Sequence, residues 1–203
     1  MAKDKKIVTA FGRMNPPTTG HQKLIDAVLN KAKAEDADHD IRLSHSHDAK
    51  KNPLTQEQKL HHARKMFPKV NFSGSSKEHP SFIHHLKDLH SKGYTHVTMI
   101  AGSDRADEYQ KLVDKYNKPD GEFHFKSIKI HSAGHRDPDA EGTEGMSASK
   151  MRQHAQEGNY HSFKAGLPSH TTHAHAQELY NHVRGGMGIK ESTFLRFKNW
   201  LVG

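Results

Sequence analysis

Gly12-Arg13-Met14-Asn15-Pro16-Pro17-Thr18-Thr19-Gly20-His21 joins an apolar run, Ile7 to Phe11, to a helical pattern, Gln22 to Lys33. The run reads as a buried strand. The pattern carries Leu24, Ile25, Val28, Leu29 and Ala32 on one side of a helix. A strand therefore turns through Gly, Pro and Thr into a helix whose first turn holds His21. Pro16-Pro17 stiffens that turn, and Gly20 lets a ligand approach the backbone closely. A helix N-terminus offers unpaired N–H groups and a partial positive charge, so phosphate oxygens bind well there. The segment has the makings of a phosphate cradle with an imidazole in it. Its purely local reading is a strand–helix turn with a capping threonine.

The same alternation continues along the chain. Ile41 and Leu43 predict a short strand, followed by the loop Ala49-Lys50-Lys51-Asn52-Pro53-Leu54. Thr55 with Gln58 three residues on is a capping box, which predicts a helix to about Met66. Val70–Phe72 is a candidate third strand. Pro80 and Ser81 start a helix through Leu86 and Leu89, stopped by Gly93. His96–Ala101 reads as a strand ended by Gly102-Ser103-Asp104, with Asp104 placed to cap a helix Arg105–Tyr116. Phe123/Phe125 and Ile128/Ile130 alternate, predicting a strand over Phe123–Ile130. A Gly- and acid-rich loop, Ala133 to Gly145, has the composition of a lid. Ser147 opens a helix through Gln156, and Ser169–Arg184 predicts a last one. Gly185–Gly188 then reads as a hinge.

Strands alternating with helices of this length predict βαβ crossovers: an α/β, doubly wound, Rossmann-like parallel sheet with helices on both faces. Ligands of such sheets bind at the carboxyl ends of the strands, at the switch point. The expected division is an α/β domain over 1–186 and a C-terminal amphipathic tail over 187–203. In that tail, Phe194, Phe197 and Leu201 fall on one stripe of a basic, aromatic-rich segment, residues 191–201, fit for a partner's groove or for packing on its own domain.

A second helix start also seeks phosphate. In Gly145-Met146-Ser147-Ala148-Ser149-Lys150-Met151-Arg152, Ser147 is a good N-cap, and Ser149, Lys150 and Arg152 occupy the first turns. Hydroxyls, free N–H groups and two cations there make a triphosphate clamp.

Composition sets the bounds. The 203 residues carry a formal charge of +8, which suits polyanionic partners, nucleotides or nucleic acid. The absence of cysteine excludes disulfides, zinc–thiolate sites and thiol nucleophiles. No apolar run approaches the roughly 20 residues of a membrane span, and Met1–Lys6 lacks a signal-peptide core. A cytoplasmic protein is expected. The 20 histidines are scattered without H-E-x-x-H spacing, so they read as surface residues and no metal site is expected. No Walker loop, G-x-G-x-x-G after the first strand, or G-x-S-x-G occurs, which removes the usual supports for ATPase, dehydrogenase and serine-hydrolase readings.

The two phosphate-seeking segments together resemble the nucleotidyltransferase superfamily of adenylyl- and cytidylyltransferases. That family carries H/T-x-G-H after its first strand and I-S-S-T-x-x-R near the end of its core. Here they read Thr18-Thr19-Gly20-His21 and Met146-Ser147-Ala148-Ser149-Lys150-Met151-Arg152. Gly12-Arg13-Met14-Asn15-Pro16 is similar to the G-R-F-x-P start of nicotinamide-mononucleotide adenylyltransferases. The chain looks closest to a phage-encoded, cytidylyltransferase-like branch, including the loop Lys50–Leu54. For a viral protein, the place would be the host cytoplasm or the virion. Thr18 stands where many members have the first histidine, and Ala148 where serine or glycine is usual.

The resemblance implies transfer of a nucleoside monophosphate from ATP or CTP to a phosphorylated small-molecule acceptor, with Mg²⁺ and pyrophosphate release. His21 and Thr18 would bind the α- or β-phosphate, and Ser149 and Arg152 the β- and γ-phosphates. Arg13 and Lys51 would reach triphosphate or acceptor phosphate. Gly12, Gly20 and Ser147 would shape the cradle, and Gly102 and Asp104 would lie near base and ribose. The family often forms homo-oligomers. The competing reading is a non-catalytic nucleotide-binding or assembly protein that kept the fold and uses its tail to bind a partner.

Overall fold

In β1 (Lys6–Gly12), Ile7, Val8, Thr9 and Ala10 are all buried, the mark of a strand covered on both faces. The computed structural model describes residues 4–133 and 146–189. In it β1 is the central strand of a five-stranded, wholly parallel sheet of order β3-β2-β1-β4-β5. Its neighbours are β2 (Asp38–Leu43) and β4 (His96–Ala101), and β3 (Phe72–Gly74) and β5 (Ser127–Ser132) form the edges. The order reverses between β1 and β4, so a crevice opens above their carboxyl ends.

Side chains alternate across β1 with period two. Val8 and Ala10 pack into one core with Ile25 and Val28 of α1 (Gln22–Glu35), Met151 and Ala155 of α5 (Ala148–Gln156), and Leu179 and Val183 of α7 (His173–Gly186). Ile7 joins the other core, with Leu86 and Leu89 of α3 (Phe82–Ser91) and Tyr109 and Val113 of α4 (Ser103–Tyr116). Two apolar cores on opposite faces make the sheet doubly wound. The predicted capping box opens α2 (Gln56–Met66): Thr55 accepts from Gln58 N–H at 3.3 Å, and Gln58 Oε1 accepts from Thr55 N–H at 3.0 Å. No helix among the described residues is long and apolar enough to cross a membrane.

Several expectations need correction. Phe123 and Phe125 are not on a strand. They are buried from the loop before β5, with Phe125 N–H held by Asn117 Oδ1 at 2.8 Å. Two alternate phenylalanines plugging a core mimic strand periodicity. The third strand begins at Phe72, where Ile41 offers it a partner. Gly102, not Asp104, caps α4, and Asp104 lies within its first turn. An unanticipated helix, α6 (Tyr160–Ala165), precedes α7, and α7 starts late because Thr172 caps it, accepting from His175 N–H at 3.2 Å. Gly185 and Gly186 are helical rather than a hinge. A Cβ on Gly186 would collide with the backbone of Pro53, so this glycine serves close packing. The lid-like segment 134–145 and the tail segment 191–201 lie outside the described residues.

The histidines are not all at the surface: His62, His85 and His175 are buried. Thr9 Oγ1 donates to Asp40 O at 2.7 Å, so its contact with His85 Nε2 at 2.8 Å is one in which the ring donates. That puts the proton on Nε2 and leaves buried Nδ1 without a partner. A second proton would have no acceptor there, and burial pushes the ring's pKa down to about 3.

Candidate active site

An open cleft of about 2600 Å³ lies at the carboxyl ends of β1 and β4. Phe11, Gly12 and Arg13 enter it from β1, Ala101, Gly102 and Ser103 from β4, and Ser147, Ala148, Ser149, Lys150 and Arg152 from the start of α5. Gly20 and His21 enter from the short 3-10 turn, Thr19–His21, that leads into α1. The two sequence segments, 128 residues apart at Thr18 and Met146, thus face one space. Arg13, Lys51, Lys150 and Arg152 line it together, and Asp26 is the one carboxylate among its described lining residues. Such a field concentrates polyanions.

Hydrogen bonds tie the two segments into one unit. Thr18 is fully buried and does not line the cleft. Its hydroxyl donates to Met146 O at 2.8 Å, and its backbone N–H donates to His21 Nδ1 at 3.0 Å. Because Nδ1 accepts, a neutral His21 ring carries its proton on Nε2, the tautomer set by the partner of the other nitrogen. Thr18 Oγ1 also stands 3.0 Å from Nδ1; with its proton given to Met146 O it only packs against that edge of the ring, and the backbone N–H sets the tautomer. Thr19 N–H donates to Gly166 O at 2.9 Å, anchoring the turn to the segment after α6.

Arg152 makes the second tie. Its Nη1 donates to Asn15 O at 2.7 Å and its Nη2 to Ser149 Oγ at 3.0 Å. Partial burial and the neighbouring Arg13 charge lower its pKa, an electrostatic cost that an arriving anion relieves. Ser147 caps α5 by accepting from Lys150 N–H at 3.1 Å, so the helix start is already formed facing the cleft.

Lys51 is held by its loop. Asp48 Oδ1 accepts from the backbone N–H groups of Lys51 at 2.7 Å and Lys50 at 2.9 Å. Those backbone bonds, with the Asn52 side chain, hold Asp48 down at a pKa of about 2. Asn15, a residue that the spacing alone did not single out, locks this loop to the first segment. Its buried amide accepts from Leu54 N–H at 2.9 Å and donates to Leu54 O at 3.1 Å, as a strand partner would.

Lys59 is a second such residue, outside both motifs. It is fully buried and donates through Nζ to Ser44 O and, at 3.2 Å, to Ser46 O, supporting the carboxyl end of β2. Burial, with the nearby Arg13 charge, lowers its pKa to about 8. A signal existed: Lys59 shares the inward face of α2 with Ala63 and Met66, at helical spacing. Asn15 gave no such signal, since its partner is 39 residues away. The role expected for Asp104 depends on a side chain outside the described residues.

No protein-family model and no curated protein sequence matches the chain. Solved structures do. One is a bifunctional NMN adenylyltransferase/ADP ribose pyrophosphatase from Francisella tularensis, complexed with AMP and a manganese ion. It aligns with a TM-score of 0.55 at 14% identity over 98% of this chain and 56% of that one. The fold is shared with an NMN adenylyltransferase. A second is Thermotoga maritima TmcAL bound to alpha-thio ATP, with a TM-score of 0.53 at 12% identity over 86% of this chain and 55% of that one. The chain thus spans a little over half the length of either structure. At such identities the likeness is one of fold.

Proposed function

We propose that the chain is a nucleotidyltransferase that binds a nucleoside triphosphate in the β1/β4 cleft. It would pass the nucleoside monophosphate to a phosphorylated acceptor and release pyrophosphate. The observation that carries this reading is the convergence of two phosphate-seeking helix starts on one cationic cleft, cross-tied by Thr18 to Met146 and by Arg152 to Asn15. The adenine nucleotides in the two similar structures support the same reading.

The chemistry asks mainly for positioning and charge stabilisation. An acceptor phosphate oxygen attacks the α-phosphorus, and the bond to the bridging oxygen of pyrophosphate breaks. His21, braced by Thr18, donates from Nε2 to an α-phosphate oxygen as negative charge grows there. The start of α5, with Ser147, Ser149, Lys150 and Arg152, holds the β- and γ-phosphates. Arg13 and Lys51 take the remaining charge, including that of the acceptor phosphate. Thr18 positions His21 and does not touch substrate. With Asp26 as the lone described carboxylate in the lining, the donor set suits a triphosphate that would bring its own Mg²⁺. Such an ion would supply charge neutralisation.

The test is a pyrophosphate-release screen with Mg²⁺, across ATP, CTP, GTP and UTP, against nicotinamide mononucleotide and other phosphorylated acceptors. The CTP arm tests the cytidylyltransferase-like branch. One triphosphate with one acceptor should give turnover that His21→Ala lowers by about 10²-fold or more. If no triphosphate binds by calorimetry, the nucleotidyltransferase reading falls.

A further inference from the structure

The seam between α2 and α7 gathers five imidazole and carboxylate side chains that the cleft does not use. His61 and His62 come from α2, and His175, Glu178 and His182 from α7 at i, i+3 and i+7, which is one helix face. None of them lines the phosphate cleft. His62 Nδ1 lies 2.9 Å from His175 Nε2, and His62 Nε2 lies 2.9 Å from His182 Nδ1. His61 Nε2 lies 3.0 Å from Glu178 Oε1. One ligand atom each from His61, His62 and Glu178 falls within 4.8 Å of the other two.

We propose that this seam is a binding site for a divalent transition-metal ion of the zinc class, ligated by His61, His62 and Glu178, with water in the remaining position. Mixed imidazole and carboxylate donors are the set that Zn²⁺ accepts in four-coordinate sites. With Zn–N bonds of about 2.0–2.1 Å, two ligand atoms on a tetrahedron stand about 3.3–3.4 Å apart. The 3.0 Å contact of His61 with Glu178 has to open by a few tenths of an ångström, and His62, whose ligand atom lies within 4.8 Å of both, has to close on them by up to about 1.5 Å.

The protons balance without an outside acid or base. His62 gives one ring nitrogen to the metal and keeps the other in its hydrogen bond, Nδ1 with His175 or Nε2 with His182. His61 carries its proton on Nδ1, which bares Nε2. The bond that His62 keeps is the outer hydrogen bond that usually orients a metal-binding histidine. Lys65 Nζ, 3.3 Å from Glu178 Oε2, holds the second carboxylate oxygen. His61 and Glu178 are partly exposed while His62 is buried, so the ion has a route in and a buried donor at the end of it.

The consequence is a staple between two helices. α2 carries Lys59, which supports the loop after β2, and α7 carries Gly186, which packs on Pro53 of that same loop. Joining the helices stiffens the wall of the cleft that holds Lys51.

The test uses the full chain stripped with a chelator and titrated with ZnCl₂ and with CoCl₂. One tight equivalent should bind, with the intense visible absorption of tetrahedral Co²⁺. At a hundredfold excess of free Zn²⁺ over Kd, the melting temperature should rise by roughly 5–10 °C. The double variant His61→Gln/Glu178→Gln alters two partly exposed side chains, so folding is retained. It should lose the tight equivalent, the cobalt band and the thermal shift. A control variant, His84→Gln, should keep all three. Absence of a tight equivalent, or one that survives the double variant, would overturn the proposal and leave the seam a chain of hydrogen-bonded imidazoles. Neither outcome depends on nucleotide binding.

Discussion

Replacing Thr18 with valine separates positioning from chemistry at the cleft. The side chain is fully buried, so valine's extra methyl takes the hydroxyl's place and no water substitutes for it. Lost are the 2.8 Å bond to Met146 O and the 3.0 Å contact with His21 Nδ1. A neutral hydrogen bond is worth about 1 kcal/mol net, and an orphaned carbonyl adds to that, so about 1.5 kcal/mol of stability should go. For a chain of this size that is about 3–6 °C in melting temperature, read by circular dichroism. The Thr18 backbone N–H still donates to Nδ1 at 3.0 Å, so His21 keeps its tautomer. Turnover in the pyrophosphate-release assay should therefore fall by less than about tenfold, against about 10²-fold or more for His21→Ala. An unchanged melting temperature with a turnover loss equal to that of His21→Ala would refute the reasoning. It would mean that Thr18 touches the reacting groups.

Three further outcomes follow from the geometry. Arg152→Lys keeps the charge but loses the fork that serves Asn15 O and Ser149 Oγ at once, so triphosphate affinity measured by calorimetry should drop about tenfold. The two glycines at the end of α7 should respond with opposite signs. Gly185→Ala meets open space and should add up to about 1 kcal/mol through helix propensity, whereas Gly186→Ala drives a methyl into Pro53 and should cost about 1–3 kcal/mol or more. Urea midpoints decide the pair, and equal shifts would refute the packing role. Acid should weaken the fold through His85, whose folded pKa of about 3 lies below its ordinary value of 6.5. The unfolded chain takes up that proton first as pH falls, so stability is complete above about pH 6.5 and declines below it, by about 2 kcal/mol at pH 5. His85→Asn should flatten this slope between pH 7 and 5; an unchanged slope would show that other groups set it.

The strands and helices that carry the cleft were legible because each has a local cause. Ile7–Phe11 is apolar throughout, Thr55 with Gln58 caps a helix, and Ser147 caps another. Legibility failed where a local pattern had a tertiary cause. Phe123 and Phe125 alternate like a strand while plugging a core from a loop, and Gly185-Gly186 looks like a hinge while Gly186 is small so that Pro53 can approach. The histidines failed in the same way. Composition makes them surface residues, yet His62 and His175 meet across 113 positions of sequence.

By itself, then, the sequence determined the alternation of strands and helices, the parallel sheet that this alternation demands, and the two helix starts with phosphate-binding chemistry. These rest on hydrophobic period and capping, interactions spanning a few residues. Only the tertiary structure decided that the two starts share one cleft, that Thr18 turns inward to brace His21, and that Asn15 locks the Lys51 loop to Arg152. Those outcomes rest on hydrogen bonds between residues 39, 128 and 137 positions apart. No local period encodes such pairs, because they form only when the sheet order brings the loops together.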